Sequence, residues 1–175
     1  MKYDYYDKFI TKETKGRYDI TPIFENPEVF SNLLNDLIEP FKDKNFDKIA
    51  GIEALGFVIG GALAQNMNKG FICIRKGDKL PGINDSVLKT SPFVDYTGTS
   101  KSLEINKSSV KNKDKILLVD EWIETGTQMN ASIKLIEELG GEIIGISSLC
   151  VHKNPHTKVL FEKYNLKAIR IIDEN

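Results

Sequence analysis

The segment that most constrains this chain is Lys115 to Gln128, KILLVDEWIETGTQ. Ile116, Leu117, Leu118 and Val119 form a continuous apolar run, the pattern of a strand covered on both faces in a parallel sheet. Asp120 and Glu121 follow at the carboxyl end of that strand, where open α/β sheets bind their ligands. Thr125-Gly126-Thr127 then opens a helix, whose unpaired N–H groups and positive dipole end favour a phosphate. Carboxylates suited to hydroxyls or a metal, set beside a phosphate cradle, point to a phosphorylated sugar. The plainer alternative for the same residues is a pair of solvated loop acids and a helix cap.

The rest of the chain alternates helix and strand. Phe30, Leu33, Leu34, Leu37, Ile38 and Phe41 recur at helical spacing, and Pro27 suits a first turn, so Pro27 to Phe41 reads as an amphipathic helix. A strand at Lys48 to Ile52, a Gly- and Ala-rich helix from Gly56 to Met67 and a strand at Gly70 to Ile74 follow. Lys76 to Lys101 lacks periodicity and carries Gly77, Pro81, Gly82, Pro92 and Gly98, which predicts loop or marginal hairpin over roughly 25 residues. Beyond it lie strands at Ser102 to Ile105, Ile143 to Val151 and Ala168 to Ile172. Helices fall at Gly126 to Leu139, closed by Gly140-Gly141, and around His156 to Tyr164. This order predicts an α/β fold with a doubly wound, mostly parallel sheet flanked by helices, in a single domain over residues 1–175.

Net charge is −1, from 24 basic and 25 acidic residues, so neither sign is in the excess that nucleic acid or a membrane surface would call for. Cys73 and Cys150 lie in apolar, strand-like segments and read as reduced, buried thiols, which suits a cytoplasmic protein. The opening residues are too charged for a signal peptide, and no apolar run approaches the roughly 18 residues that span a bilayer. His152 and His156 have no carboxylate or cysteine at metal-ligand spacing and read as surface residues. Trp122 reads as packing.

Four further blocks stand in order: Asp19-Ile20-Thr21-Pro22 leading to Asn26-Pro27-Glu28-Val29-Phe30; Gly51-Ile52-Glu53-Ala54-Leu55-Gly56-Phe57; Arg75-Lys76 with Lys79-Leu80-Pro81-Gly82; and Leu103-Glu104-Ile105. Together with the acid pair and the Thr-Gly turn they resemble the type I phosphoribosyltransferase family, and within it the adenine phosphoribosyltransferases, over positions 19 to 151. The resemblance implies a phosphoribosyltransferase-type fold with a small N-terminal hood, residues 1–26, and a flexible loop, residues 76–101. It implies transfer of ribose 5-phosphate from phosphoribosyl pyrophosphate to a purine, adenine first, with release of pyrophosphate. It also implies Mg2+ held mainly by substrate near Asp120 and Glu121, and a homodimer. A non-catalytic sensor of phosphoribosyl pyrophosphate or a nucleotide is the other reading.

Residue by residue, the resemblance assigns Asp120 and Glu121 to the ribose hydroxyls and to the positive charge that develops as the anomeric bond breaks. Glu124, Thr125, Gly126, Thr127 and Gln128 would surround the 5-phosphate. Ala54, Leu55, Gly56, Arg75, Lys76 and Lys79 would face pyrophosphate. Asp95, beside Tyr96 in the loop, would assist the purine's proton as a further catalytic acid, and Tyr18 and Ile20 would flank the base. Two departures stand out. The family usually reads Ala-Thr-Gly-Gly-Thr after its acids where this chain has Glu124-Thr125-Gly126-Thr127-Gln128, so Thr127 is expected to restrict the backbone. It also usually has Arg where this chain has Leu55.

Overall fold

The computed structural model describes residues 3–14, 18–82, 84–94 and 98–173. In chain order the elements are α1 (Tyr3–Asp7), α2 (Thr21–Glu25), α3 (Pro27–Ile38), β1 (Lys48–Ile52), α4 (Leu55–Asn66), β2 (Gly70–Lys76), β3 (Val87–Lys89), β4 (Phe93–Val94) and β5 (Ser100–Lys101). After them come β6 (Leu103–Asn106), β7 (Lys115–Ile123), α5 (Thr127–Glu138), β8 (Glu142–Lys153), α6 (Lys158–Lys163) and β9 (Leu166–Asp173). Local chemistry sets the helix ends. The Asn26 side chain accepts the Glu28 and Val29 N–H groups at 3.1 and 3.2 Å and so starts α3. Gly140, at φ +85°, closes α5 with bonds from Gly140 N–H to the Glu137 carbonyl and from Gly141 N–H to the Ile136 carbonyl.

Seven strands form one sheet in the order β3-β6-β2-β1-β7-β8-β9. β2, β1, β7, β8 and β9 run parallel, and β6 and β3 add an antiparallel edge. Leu33, Leu37, Ile59 and Leu63 of α3 and α4 pack with Ile49, Leu117 and Val119. Met129, Ile133, Ile136 and Leu160 of α5 and α6 pack in a second core with Ala50, Ile52, Ile116 and Leu118. β1 and β7 are therefore buried on both faces, as their unbroken apolar runs predict. From β1 the chain moves to β2 on one side, and from β7 to β8 on the other, which puts the topological switch between β1 and β7.

Three expectations change. Within the segment from Lys76 to Lys101 the antiparallel ribbon of β4 with β5 matches the marginal hairpin expected there, but Val87–Lys89 instead joins the main sheet against β6. Strands of two or three residues are too short to show a period. Cys73 is exposed, because β2 buries Ile72 and Ile74 and turns Cys73 to its other face; only Cys150 is a buried thiol. β7 also continues two residues past the acid pair, to Ile123, through pairing with β8.

A side chain at Gly51 would place its Cβ 2.2 Å from the Gly56 carbonyl oxygen, so the glycine lets the start of α4 rest on β1. Gly51→Ala must displace backbone rather than a flexible side chain. Thermal unfolding is expected to show a loss on the order of 1–3 kcal/mol, and unchanged stability would mean that this contact has slack.

Candidate active site

A cavity of about 570 Å³ opens where β1, β7, β8 and β9 end, with Tyr18 and Ile20 of the N-terminal segment on one wall. β1 pairs with β7 only as far as Val119, whereas β8 follows β7 to Ile123, so Asp120 to Ile123 project beyond the neighbouring strand into this space. Gly56 makes room for the first acid: a Cβ there would lie 3.1 Å from Asp120 Oδ1. Asp120 is 9% exposed. Burial, with the Glu121 charge beside it, pushes its carboxyl well above the usual carboxylate range, and the Lys76 charge opposes the shift.

The turn after the acids is built to present its backbone. Gly126 carries the left-handed conformation, φ +74°, and Thr127 is the first residue of α5. The restriction expected at Thr127 therefore does not arise, because the positive φ falls one residue earlier on a true glycine. Thr125 Oγ1 and Thr127 Oγ1 lie 2.9 Å apart, and Asn154 Nδ2 donates to the Glu124 carbonyl at 2.9 Å, bracing the turn from the β8–α6 connection. The first N–H groups of a helix have no intrahelical acceptor. The residues that carry them belong to the same cavity wall, which runs through Glu124, Thr125, Gly126, Thr127 and Gln128.

Among the other residues singled out from the sequence, Tyr18, Ile20, Leu55, Lys76 and Glu121 also line the cavity. Ala54, Gly56, Arg75 and Lys79 do not. Arg75 Nε and Lys79 Nζ reach Glu53 at 3.4 and 2.6 Å, and the Lys76 N–H donates to the same carboxylate at 3.1 Å. Burial alone would raise the Glu53 pKa; the bonds from Lys79, Lys76 and Arg75 outweigh it and hold this carboxyl below its ordinary value. Asp95 and Tyr96 lie outside the described residues.

Sequence reasoning passed over Glu53, Lys101, His152, Arg170 and Ile172, all on the cavity wall. His152 is half-buried there rather than a surface residue, and only His156 is exposed. Trp122 also lines the cavity, where it packs edge-on to Tyr18 at 5.7 Å between ring centroids and 6.2 Å from His152. The Arg170 guanidinium sits 4.4 Å over the Tyr3 ring, tying β9 to α1. Strand register assembles this wall: Trp122 is level with Cys150, and Cys150 with Arg170. A charged residue amid the apolar Ala168 to Ile172 run was the signal that could have marked Arg170.

Comparison with known proteins places this arrangement. The phosphoribosyl transferase domain family matches residues 22–175, and the chain belongs to that family. Adenine phosphoribosyltransferase of Cereibacter sphaeroides (strain KD131 / KCTC 12085) is 39% identical over 127 residues, covering 73% of this chain and 68% of that protein. The enzyme of that name from Halothermothrix orenii is 43% identical over 131 residues, covering 75% and 74%. The crystal structure of adenine phosphoribosyltransferase from Rhodothermus marinus superposes with a TM-score of 0.85 at 28% identity, covering 97% of this chain and 98% of that one. This chain is accordingly a pentosyltransferase with the mostly parallel, helix-flanked sheet of the type I phosphoribosyltransferases.

The Asp120 environment makes stability depend on pH. Its folded pKa lies above the unfolded value near 3.8, so its contribution is complete below that value and is lost as pH rises through the folded one. Asparagine cannot ionise. In metal-free buffer Asp120→Asn is expected to melt above the wild type at pH 8, with the difference closing toward pH 4. A variant no more stable than wild type at pH 8 would show that the carboxylate ionises there without cost.

Proposed function

We propose that this chain is an adenine phosphoribosyltransferase, moving ribose 5-phosphate from phosphoribosyl pyrophosphate to a nitrogen of adenine and releasing pyrophosphate. The observation that carries the reading is one cavity holding, side by side, a strand-end acid pair, a helix-start phosphate turn and the Lys76 cation. The names of the relatives support adenine as the base. A relative from Giardia lamblia, with a TM-score of 0.84 at 27% identity and covering 99% of that chain, was solved with 9-deazaadenine.

Each group has a task in that reaction. The Thr125–Gln128 turn holds the 5-phosphate through N–H groups and hydroxyls. Asp120 and Glu121 accept from the ribose hydroxyls and lower the energy of the positive ring that forms as the anomeric carbon loses pyrophosphate. Bonds from the hydroxyls and the charge of Lys76 favour the ionised form of Asp120 that burial disfavours in the free protein. Lys76 and the backbone at Leu55, both on the cavity wall, receive pyrophosphate, and Arg75 and Lys79 stand behind them on Glu53. Tyr18, Ile20 and Trp122 flank the planar base. Asp95 handles the purine proton, a role that rests on the family resemblance.

Oxygen-only donors suit a hard divalent ion, so Asp120 and Glu121, with substrate oxygens completing the shell, would hold Mg2+. No cluster of three or more acidic, His or Cys side chains fit for a metal occurs among the described residues. When bound, the ion supplies charge neutralisation on the leaving pyrophosphate. Two free thiols suit the cytoplasm, and no helix among the described residues is long and apolar enough to cross a membrane.

A homodimer completes the proposal. α4, LGFVIGGALAQN, has no charged side chain, yet Val58 is 42% exposed, and an uncharged helix with an open side calls for a covering surface. Val58→Lys is expected to shift sedimentation from dimer to monomer; a wild type that sediments as monomer overturns the dimer.

The activity is tested with a panel of purines and pyrimidines plus phosphoribosyl pyrophosphate and Mg2+, scored for pyrophosphate release. Release is expected with adenine above every other base. Binding of phosphoribosyl pyrophosphate without release for any base would sink the reading. Asp120→Asn is expected to lower kcat by about 100-fold or more while remaining folded, and full activity in that variant would mean that the acid pair has another role.

A further inference from the structure

Among the described residues two carboxylates are buried, Asp120 in the cavity and Glu104 outside it. Glu104 is 3% exposed on β6, where it stands level with Arg75 of β2 and Lys89 of β3. A buried carboxylate is costly unless its oxygens are satisfied. Here the acceptor demand is met by backbone. Oε2 accepts the Asp78 N–H at 2.9 Å, and Oε1 accepts the Lys79 N–H at 2.7 Å and also the Leu80 N–H. Three successive N–H groups, with Asp78 at φ +64°, form a concave anion-binding turn that the protein fills with its own side chain.

That turn follows Lys76 directly. Its first residue is pinned by the bond from Gly77 N–H to the Ser102 carbonyl at 2.8 Å, and Arg75 Nη1 donates to the Lys79 carbonyl at 3.1 Å. The Lys76 N–H rests on Glu53, as do the side chains of Arg75 and Lys79. Lys76 thus leaves the sheet between two carboxylate anchors, Glu53 on its own amide and Glu104 on the three amides that follow. Its side chain reaches the cavity, where its charge acts on Asp120.

We propose that Glu104 is a positioning residue for the pyrophosphate half of the site: by gathering the Asp78, Lys79 and Leu80 amides it fixes where Lys76 and the Arg75–Lys79 pair present their charge. The inference rests on the function proposed above. Glu104→Gln is the near-isosteric test, because it keeps volume but turns one acceptor oxygen into an NH2 that must face an amide donor.

Two readouts separate positioning from simple support of the fold. Calorimetric titration with phosphoribosyl pyrophosphate and Mg2+ is expected to give a Kd about tenfold weaker for Glu104→Gln, the scale of one buried donor left unsatisfied. Steady-state kinetics should show the same rise in KM for phosphoribosyl pyrophosphate with KM for adenine unchanged. Should the glutamine variant unfold, Glu104→Asp carries the test: it keeps both acceptor oxygens but withdraws them by one methylene, and the same selective weakening is expected. Wild-type affinity for phosphoribosyl pyrophosphate in the folded variant, or equal losses for both substrates, overturns the role of Glu104. A wild type that itself fails to bind phosphoribosyl pyrophosphate overturns the function first and this role with it.

Discussion

β7 outruns its neighbour. It pairs with β1 to Val119 and with β8 to Ile123, and the four residues in between carry both acids and Trp122 to the mouth of the cavity. This overhang places a buried Asp120 and a half-buried Glu121 beside the first turn of α5 without any side chain having to reach. Shortening β7, or lengthening β1 to cover it, would leave the acids inside the sheet or out in solvent. The two cores exist in part to hold that overhang, since Leu117 and Val119 face one helical layer and Ile116 and Leu118 the other.

Charge is arranged around this end so that anions are exchanged rather than simply attracted. Glu53 gathers Arg75, Lys79 and the Lys76 amide, while burial resists ionisation of Asp120. The free protein thus keeps the side chains of Arg75 and Lys79 engaged with an internal carboxylate. An incoming pyrophosphate meets cations that are already positioned, and positioned charge stabilises a transition state with little reorganisation. Glu104 extends this logic one turn further along the chain, using backbone amides in place of side-chain cations.

The long elements were legible because each repeats its own pattern. α3 shows helical spacing over twelve residues, and β1 and β7 show unbroken apolar runs. The acid pair and the Thr-Gly turn were legible because residue type and position along one strand–turn–helix unit define them. Elsewhere the signal lay in contacts between distant segments. Arg170 reaches the cavity only through the register of β7, β8 and β9, and His152 only because β8 runs as far as Lys153. The three-residue β3 had no period to read, and Cys73 looked buried because its neighbours are. Thr127 is the opposite case: a substitution that threatened the turn is absorbed because Gly126 takes the positive φ.

The most direct test of the account is a crystal structure of the protein with bound ribose 5-phosphate. The account requires the phosphate within hydrogen-bonding distance of the N–H groups at the start of α5, and the ribose hydroxyls on Asp120 and Glu121. A phosphate held instead by Arg170 or Lys101, with the acid pair unengaged, would contradict it.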